Sequence, residues 1–135
     1  MRCIAIPVSL LFAAAIAAAG SAFAACEAPQ HLRYGAPVTL KGVLAEGSGQ
    51  HEAQGPFKYT YLTLAEALCV DAAPGDDEFN QSTPEPVKRV QVAGDALDKA
   101  MPMGTPVEVK GTLFGAHTMW HAEDVLIDAE AVTQQ

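Results

Sequence analysis

The clearest pattern in the chain is a period of two. From Pro106 to Phe114, Val107, Val109, Gly111 and Leu113 alternate with Glu108, Lys110 and Thr112. Successive strand side chains point to opposite faces, so this alternation predicts a strand with one buried side. The same logic predicts a strand over Pro37–Ala45, with Val38, Leu40, Gly42 and Leu44 on one face. Phe57–Leu64 predicts another, with Thr60, Leu62 and Leu64 on one face and Tyr59, Tyr61 and Thr63 on the other. Val87–Val92 reads as a strand with Val90 and Val92 inward. Trp120–Ala131 reads as the last, with Val125, Ile127 and Ala129 on one face and Leu126 buried opposite them. Glu46–Pro56 and Asp71–Pro86 are rich in glycine, proline and polar residues and predict loops. Asp95–Met101 predicts one or two helical turns. Gly94-Asp95 offers an N-cap, Ala96, Leu97 and Ala100 an apolar stripe, and Pro102 and Gly104 a stop.

The order strand, strand, strand, short helix, strand, strand predicts an all-β fold. It suits a small five-stranded OB-like barrel with one short helix between strands 3 and 4. A small β-sandwich is the rival, and it leaves the helix without a role. Two strands also share a pattern: Val38–Leu44 and Val107–Leu113 each carry a Lys-Gly pair, Lys41-Gly42 and Lys110-Gly111. Glycine inside a strand marks a bend or a close backbone approach, which closure of a small barrel needs.

The N-terminal stretch departs from this alternation. Arg2 precedes an apolar run over Ile4–Ala19, and Ala22-Phe23-Ala24 fits a small-x-small cleavage site. Residues 1–24 therefore read as a signal peptide cut near Ala24, which leaves 25–135 as one OB-like domain in the periplasm or secreted. The apolar run is short and Ala-rich and no later segment is longer, so stable membrane insertion is not expected. Cys3 leaves with the signal, and Cys26 and Cys69 remain as the natural disulfide of an oxidising compartment. Lipid attachment at Cys26 is the lesser alternative, because Phe23-Ala24-Ala25 lacks the usual leucine.

Charge narrows the partners. The chain has 8 Lys+Arg against 16 Asp+Glu, a net charge of −8. Its densest basic stretch is Lys88-Arg89. A phosphate backbone needs a basic face, so nucleic acid and anionic membrane surfaces are not expected ligands. A cationic partner, a metal cation or a neutral glycan stays open.

A family resemblance rests on particular residues. These are the Leu40-x-Gly42-x-Leu44 strand, the Cys69-Val70 end of Leu64–Val70, the acidic run Asp76-Asp77-Glu78-Phe79-Asn80, and Gly111-Thr112-Leu113-Phe114 followed by Ala116-His117-Thr118 and His121. In this order they resemble a bacterial family of small exported proteins defined by a domain of unknown function. The resemblance spans nearly all of 25–135. It implies an OB-like pattern and no assigned activity. Members are richer in histidine after the Ala-His-Thr, where this chain has Met119 and Trp120, and position 122 is Ala. That departure weakens any metal role carried over.

Three constellations carry candidate chemistry. Tyr59 and Tyr61 share a strand face, and Trp120 can lie near the barrel mouth, so the three are candidate stacking residues for a sugar or another ring. The bland reading is that they cover the barrel end. His117 and His121 are four apart, which an extended strand spreads too far for one ion. If the segment turns sharply they can share Zn or Cu, completed by Glu123, Asp124 or His31; otherwise His117 fixes a turn. Asp76-Asp77-Glu78 offers oxygen ligands for Ca²⁺ but matches no EF-hand spacing. Glu123 and Asp124 are strand neighbours that face opposite ways, which excludes an acid/base pair acting on one bond. No nucleophile elbow, phosphate loop or Cys-x-x-Cys is present, so no catalytic activity is expected. The expected function is a binding module for a small ligand, glycan or protein. The alternatives are an envelope inhibitor or stress protein acting on a cationic protein, and a metal protein using His117 and His121.

Overall fold

A computed structural model describes residues 25–75 and 78–135. Residues 1–24, read above as a signal peptide, and Asp76-Asp77 of the acidic run lie outside the described residues. Six strands follow in order: β1 (Gln30–Arg33), β2 (Pro37–His51), β3 (Gly55–Asp71), β4 (Val87–Ala93), β5 (Pro106–Gly115) and β6 (Val125–Gln134). Five of them close into a barrel. β3 pairs with β2, β2 with β5, β5 with β6, β6 with β4, and β4 returns to β3. All these pairings are antiparallel except β4–β6, which is parallel. β1 runs parallel to the C-terminal part of β3, with Gln30 opposite Leu68 and Arg33 opposite Asp71.

The alternation read from the sequence fills the barrel. Val107, Val109 and Leu113 from β5, Val125, Ile127 and Ala129 from β6, Leu40 and Leu44 from β2, Leu62 and Leu64 from β3 and Val90 from β4 form the core. Leu126 is fully buried on the opposite face of β6. Closure depends on two bends. Thr63 faces Arg89 and Leu68 faces Val87, so five steps of β3 are matched by two of β4. β6 carries an extra residue beside Lys110 and Gly111. The matching glycines sit where backbones come close: a Cβ on Gly42 would run into the Thr63 carbonyl, and one on Gly111 into the Asp128 carbonyl.

Four expectations need correction. No helix forms over Asp95–Met101. The Asp98 side chain accepts a hydrogen bond from the Ala100 amide at 2.9 Å, and the Asp98 carbonyl accepts from the Met101 amide. Those local bonds compete with a helical ladder. Seven residues between Gly94 and Pro102 are too few to repay helix nucleation. Ala96, Leu97 and Met101 still pack on the core. The segment 46–56 is not a loop either. β2 and β3 continue as a long hairpin, paired from Gly42–Leu64 out to His51–Gly55, with only three residues at the tip. Gly55 has φ +77°, the left-handed conformation that ends such a tip. The lead-in contains β1. The last strand starts at Val125, so Trp120 lies on a loop.

Cys26 and Cys69 form a disulfide across 43 positions. It ties the arm before β1 to buried Cys69 in β3. The Thr83 hydroxyl, also buried, accepts a hydrogen bond from the Val70 amide beside it. Reducing the bond should lower unfolding stability by about 4 kcal/mol in the chain-entropy account. Urea unfolding with and without reductant measures this; coincident curves would show that the arm contributes no constraint.

Candidate functional site

The outer face of β3 carries Phe57, Tyr59 and Tyr61 at every second position. Beneath two of these rings the neighbouring strand has no side chain. A Cβ on Gly47 would strike the Tyr59 ring, and one on Gly49 the Phe57 ring. The Gly-Ser-Gly stretch is thus a floor on which cross-strand aromatics lie, and their packing compensates for the weak strand propensity of glycine.

Gln91 supplies the other half of the site. It lies on β4 opposite Tyr61 and is 7% exposed. Its Nε2 donates to the Trp120 carbonyl at 2.9 Å. Its Oε1 accepts from the Ala122 amide at 2.8 Å and the Glu123 amide at 3.3 Å. One buried amide side chain therefore takes the place of a partner strand for three backbone groups of the β5–β6 loop. The loop folds back over the barrel wall and brings Trp120 to Phe57, with ring centroids 5.0 Å apart. Trp120 also stacks on His51 at the hairpin tip, at 4.3 Å and 29°. Phe57 lies 6.3 Å from Tyr59, and Tyr59 5.9 Å from Tyr61. The three predicted stacking residues are thus joined in one continuous row: Tyr61, Tyr59, Phe57, Trp120 and His51. Trp120 stays 46% exposed.

Polar groups fix one end of the row. The Arg89 guanidinium lies 3.8 Å over the Tyr61 ring and pairs with Glu123. The Tyr59 hydroxyl donates to Glu123 at 2.7 Å and accepts from Arg89 at 3.0 Å. Burial, followed by its bond to Glu123, raises the Tyr59 pKa against the opposing pull of Arg89. For Arg89, burial works against the charge, but Glu123 together with Tyr61 and Tyr59 carries its pKa above the usual value.

His117 and His121 also come together, with centroids 4.6 Å apart. The loop does make the sharp turn that a shared ion would require. Both Nδ1 atoms are already engaged, however. His117 Nδ1 faces the Gly115 carbonyl at 3.0 Å. His121 Nδ1 accepts from the His117 amide at 3.0 Å and the Thr118 amide at 3.2 Å. Among the described residues no group of three or more His, Cys, Asp or Glu could hold a metal ion. His31 lies elsewhere, 3.2 Å from Asp71. Both rings pack against Phe114.

Sequence reasoning missed Phe57, Arg89, Gln91 and His51. Phe57 was legible, since it shares the period of Tyr59 and Tyr61. Arg89 and Gln91 share the outward face implied by inward Val90. His51 had no signal, because its segment read as a loop.

The family described as domain of unknown function (DUF4431) matches residues 89–133. This supports a family defined by a domain of unknown function over that stretch, and leaves the Leu40–Leu44, Cys69-Val70 and acidic-run motifs of the resemblance outside the match. The match runs from β4 through β6 and includes Arg89, Gln91, His117, Trp120, His121 and Glu123, but stops short of the hairpin. No curated protein and no solved structure matches the chain.

Two outcomes follow. Gln91→Leu leaves three backbone groups without their partner and should cost about 2–4 kcal/mol, with a red shift in Trp120 emission as the loop loosens. An unchanged spectrum would mean that another interaction holds the loop. For His121, burial and then the neighbouring His117 lower the pKa. The unfolded chain then binds the extra proton first, so stability falls as pH drops through about 6.5 and levels off below the folded value. Between about pH 7.5 and about pH 5.5, His121→Asn should flatten that dependence; an equal slope in the variant would place the proton elsewhere.

Proposed function

We propose that this chain is an exported binding module of OB-like architecture that holds a ring-bearing ligand, a glycan, on the row Tyr61–Tyr59–Phe57–Trp120, with no catalytic activity of its own. The observation that carries this reading is the continuity of that row across two chain segments remote in sequence. Cross-strand pairing alone would explain the three rings on β3. It does not explain a loop held by a buried glutamine with its tryptophan left nearly half exposed. Aromatic faces in such a row offer apolar area to the flat faces of sugar rings, while rim polar groups orient hydroxyls.

The strand order supports the OB-like reading. β2, β3, β4, β5 and β6 take the roles of strands 1 to 5, and the row lies over strands 2 and 3. It is bounded by the 1–2 tip and the 4–5 loop, where OB-folds take oligosaccharides and oligonucleotides. The acid-rich composition argues for the former. Export to the periplasm or beyond rests on the signal-like residues 1–24 and is supported by the Cys26–Cys69 disulfide.

A panel of neutral and charged oligosaccharides, titrated while following Trp120 emission, tests this. At least one should give a saturable change that Tyr59→Ala weakens about tenfold, consistent with about 1–1.5 kcal/mol for one aromatic contact. If no sugar perturbs Trp120 in a folded protein, the row is only structural.

A further inference from the structure

The row is built into an acidic protein, but its surroundings are not acidic. β3 extends past the end of β4, whose last residue is Ala93. Along the β3 segment left beyond β4 lies a cleft of about 340 Å³. Phe57, Tyr59, Trp120 and Leu97 supply its apolar surface, and Lys99 its charge. Among the described residues no carboxylate lines it, although the chain has twice as many acidic as basic residues. Lys99 makes no ion pair among the described residues. Lys58 donates to the Ser48 hydroxyl at 2.9 Å and approaches only exposed Glu46, at 3.8 Å. The carboxylate that does touch the row, Glu123, is neutralised by Arg89.

We infer that the ligand of this cleft is an acidic glycan, an oligosaccharide bearing carboxylate groups. The inference rests on the glycan reading above and specifies its charge. Sugar faces stack on Tyr59, Phe57 and Trp120, and the carboxylates lie toward Lys99; Lys58 alternates with the rings along β3 and turns to Ser48 on the other face. A chain of net charge −8 repels polyanions at long range, so the attraction has to be local. Discrimination then comes from stacking and charge together: a neutral sugar lacks the ion contacts, and an acidic peptide lacks the ring faces.

The test uses the disulfide-bonded protein and three probes: an oligogalacturonate, an uncharged gluco-oligosaccharide of equal length, and poly-glutamate. Trp120 is the only tryptophan, so its emission reports on the row directly. The oligogalacturonate should bind saturably and about fivefold or more tighter than the neutral sugar at low salt, with the advantage shrinking toward about 0.5 M salt. Lys99→Glu should remove that advantage, bringing oligogalacturonate affinity down to or below that of the neutral sugar; the residue is exposed, so the fold is not at risk. Equal affinity for acidic and neutral sugars would overturn the inference and leave the glycan reading standing. Poly-glutamate binding as tightly as oligogalacturonate would also overturn it, since charge alone would then suffice. No response to either sugar would end both readings.

Discussion

The hydrogen-bond fork of Gln91 is the interaction on which the site depends. A loop of nine residues between β5 and β6 carries backbone groups that no strand partners. Gln91 satisfies three of them from the middle of β4. A buried side-chain amide left without partners would be costly, so the loop and the strand hold each other in one arrangement. That arrangement brings Trp120 onto Phe57 and sets Glu123 against Arg89 and Tyr59. Without the fork the aromatic residues of β3 would be an ordinary cross-strand cluster.

The barrel makes the fork possible. Closure of a five-stranded sheet needs sharp bends, which come from the surplus residues of β3 and β6 and from Gly42 and Gly111, where backbones pass too closely for a side chain. Closure also sets β4 beside both β3 and β6, so one face of β4 meets the aromatic strand and the returning loop at once. The long hairpin extends this surface beyond the barrel. Its glycines give up side-chain packing on β2 so that Tyr59 and Phe57 can lie across it. His51 at the tip then stacks on Trp120, joining two loops that no backbone pairing connects.

Much of the barrel was legible because alternation and burial follow one rule. Val107, Val109, Leu113, Val125 and Ile127 all point where their period places them. The disulfide was legible from cysteine count and context. The hairpin was not, because glycine signals flexibility locally while its role here is set by the rings opposite. Asp95–Met101 misled for a related reason: Ala96 and Leu97 of its apolar stripe reach the core without a helix while Ala100 stays exposed, and Asp98 ties the backbone into turns. Tyr59, Tyr61 and Trp120 were identified as stacking candidates, but nothing in the sequence indicated how Trp120 reaches the other two. A glutamine between two valines reads as a solvated position; only the returning loop makes it a buried anchor. The histidines of the loop do converge, yet their Nδ1 atoms are engaged by the turn itself.

Residues from the hairpin, β4 and the β5–β6 loop act together as one composite surface. Chemical-shift mapping of the labelled protein with a bound oligosaccharide tests it most directly. Perturbations should gather at residues 47–61, 89–99 and 118–123, with the Trp120 indole among the largest. Perturbations confined to another part of the barrel, such as the cleft beside Lys41 and Glu66, would contradict it and leave the aromatic row as packing alone.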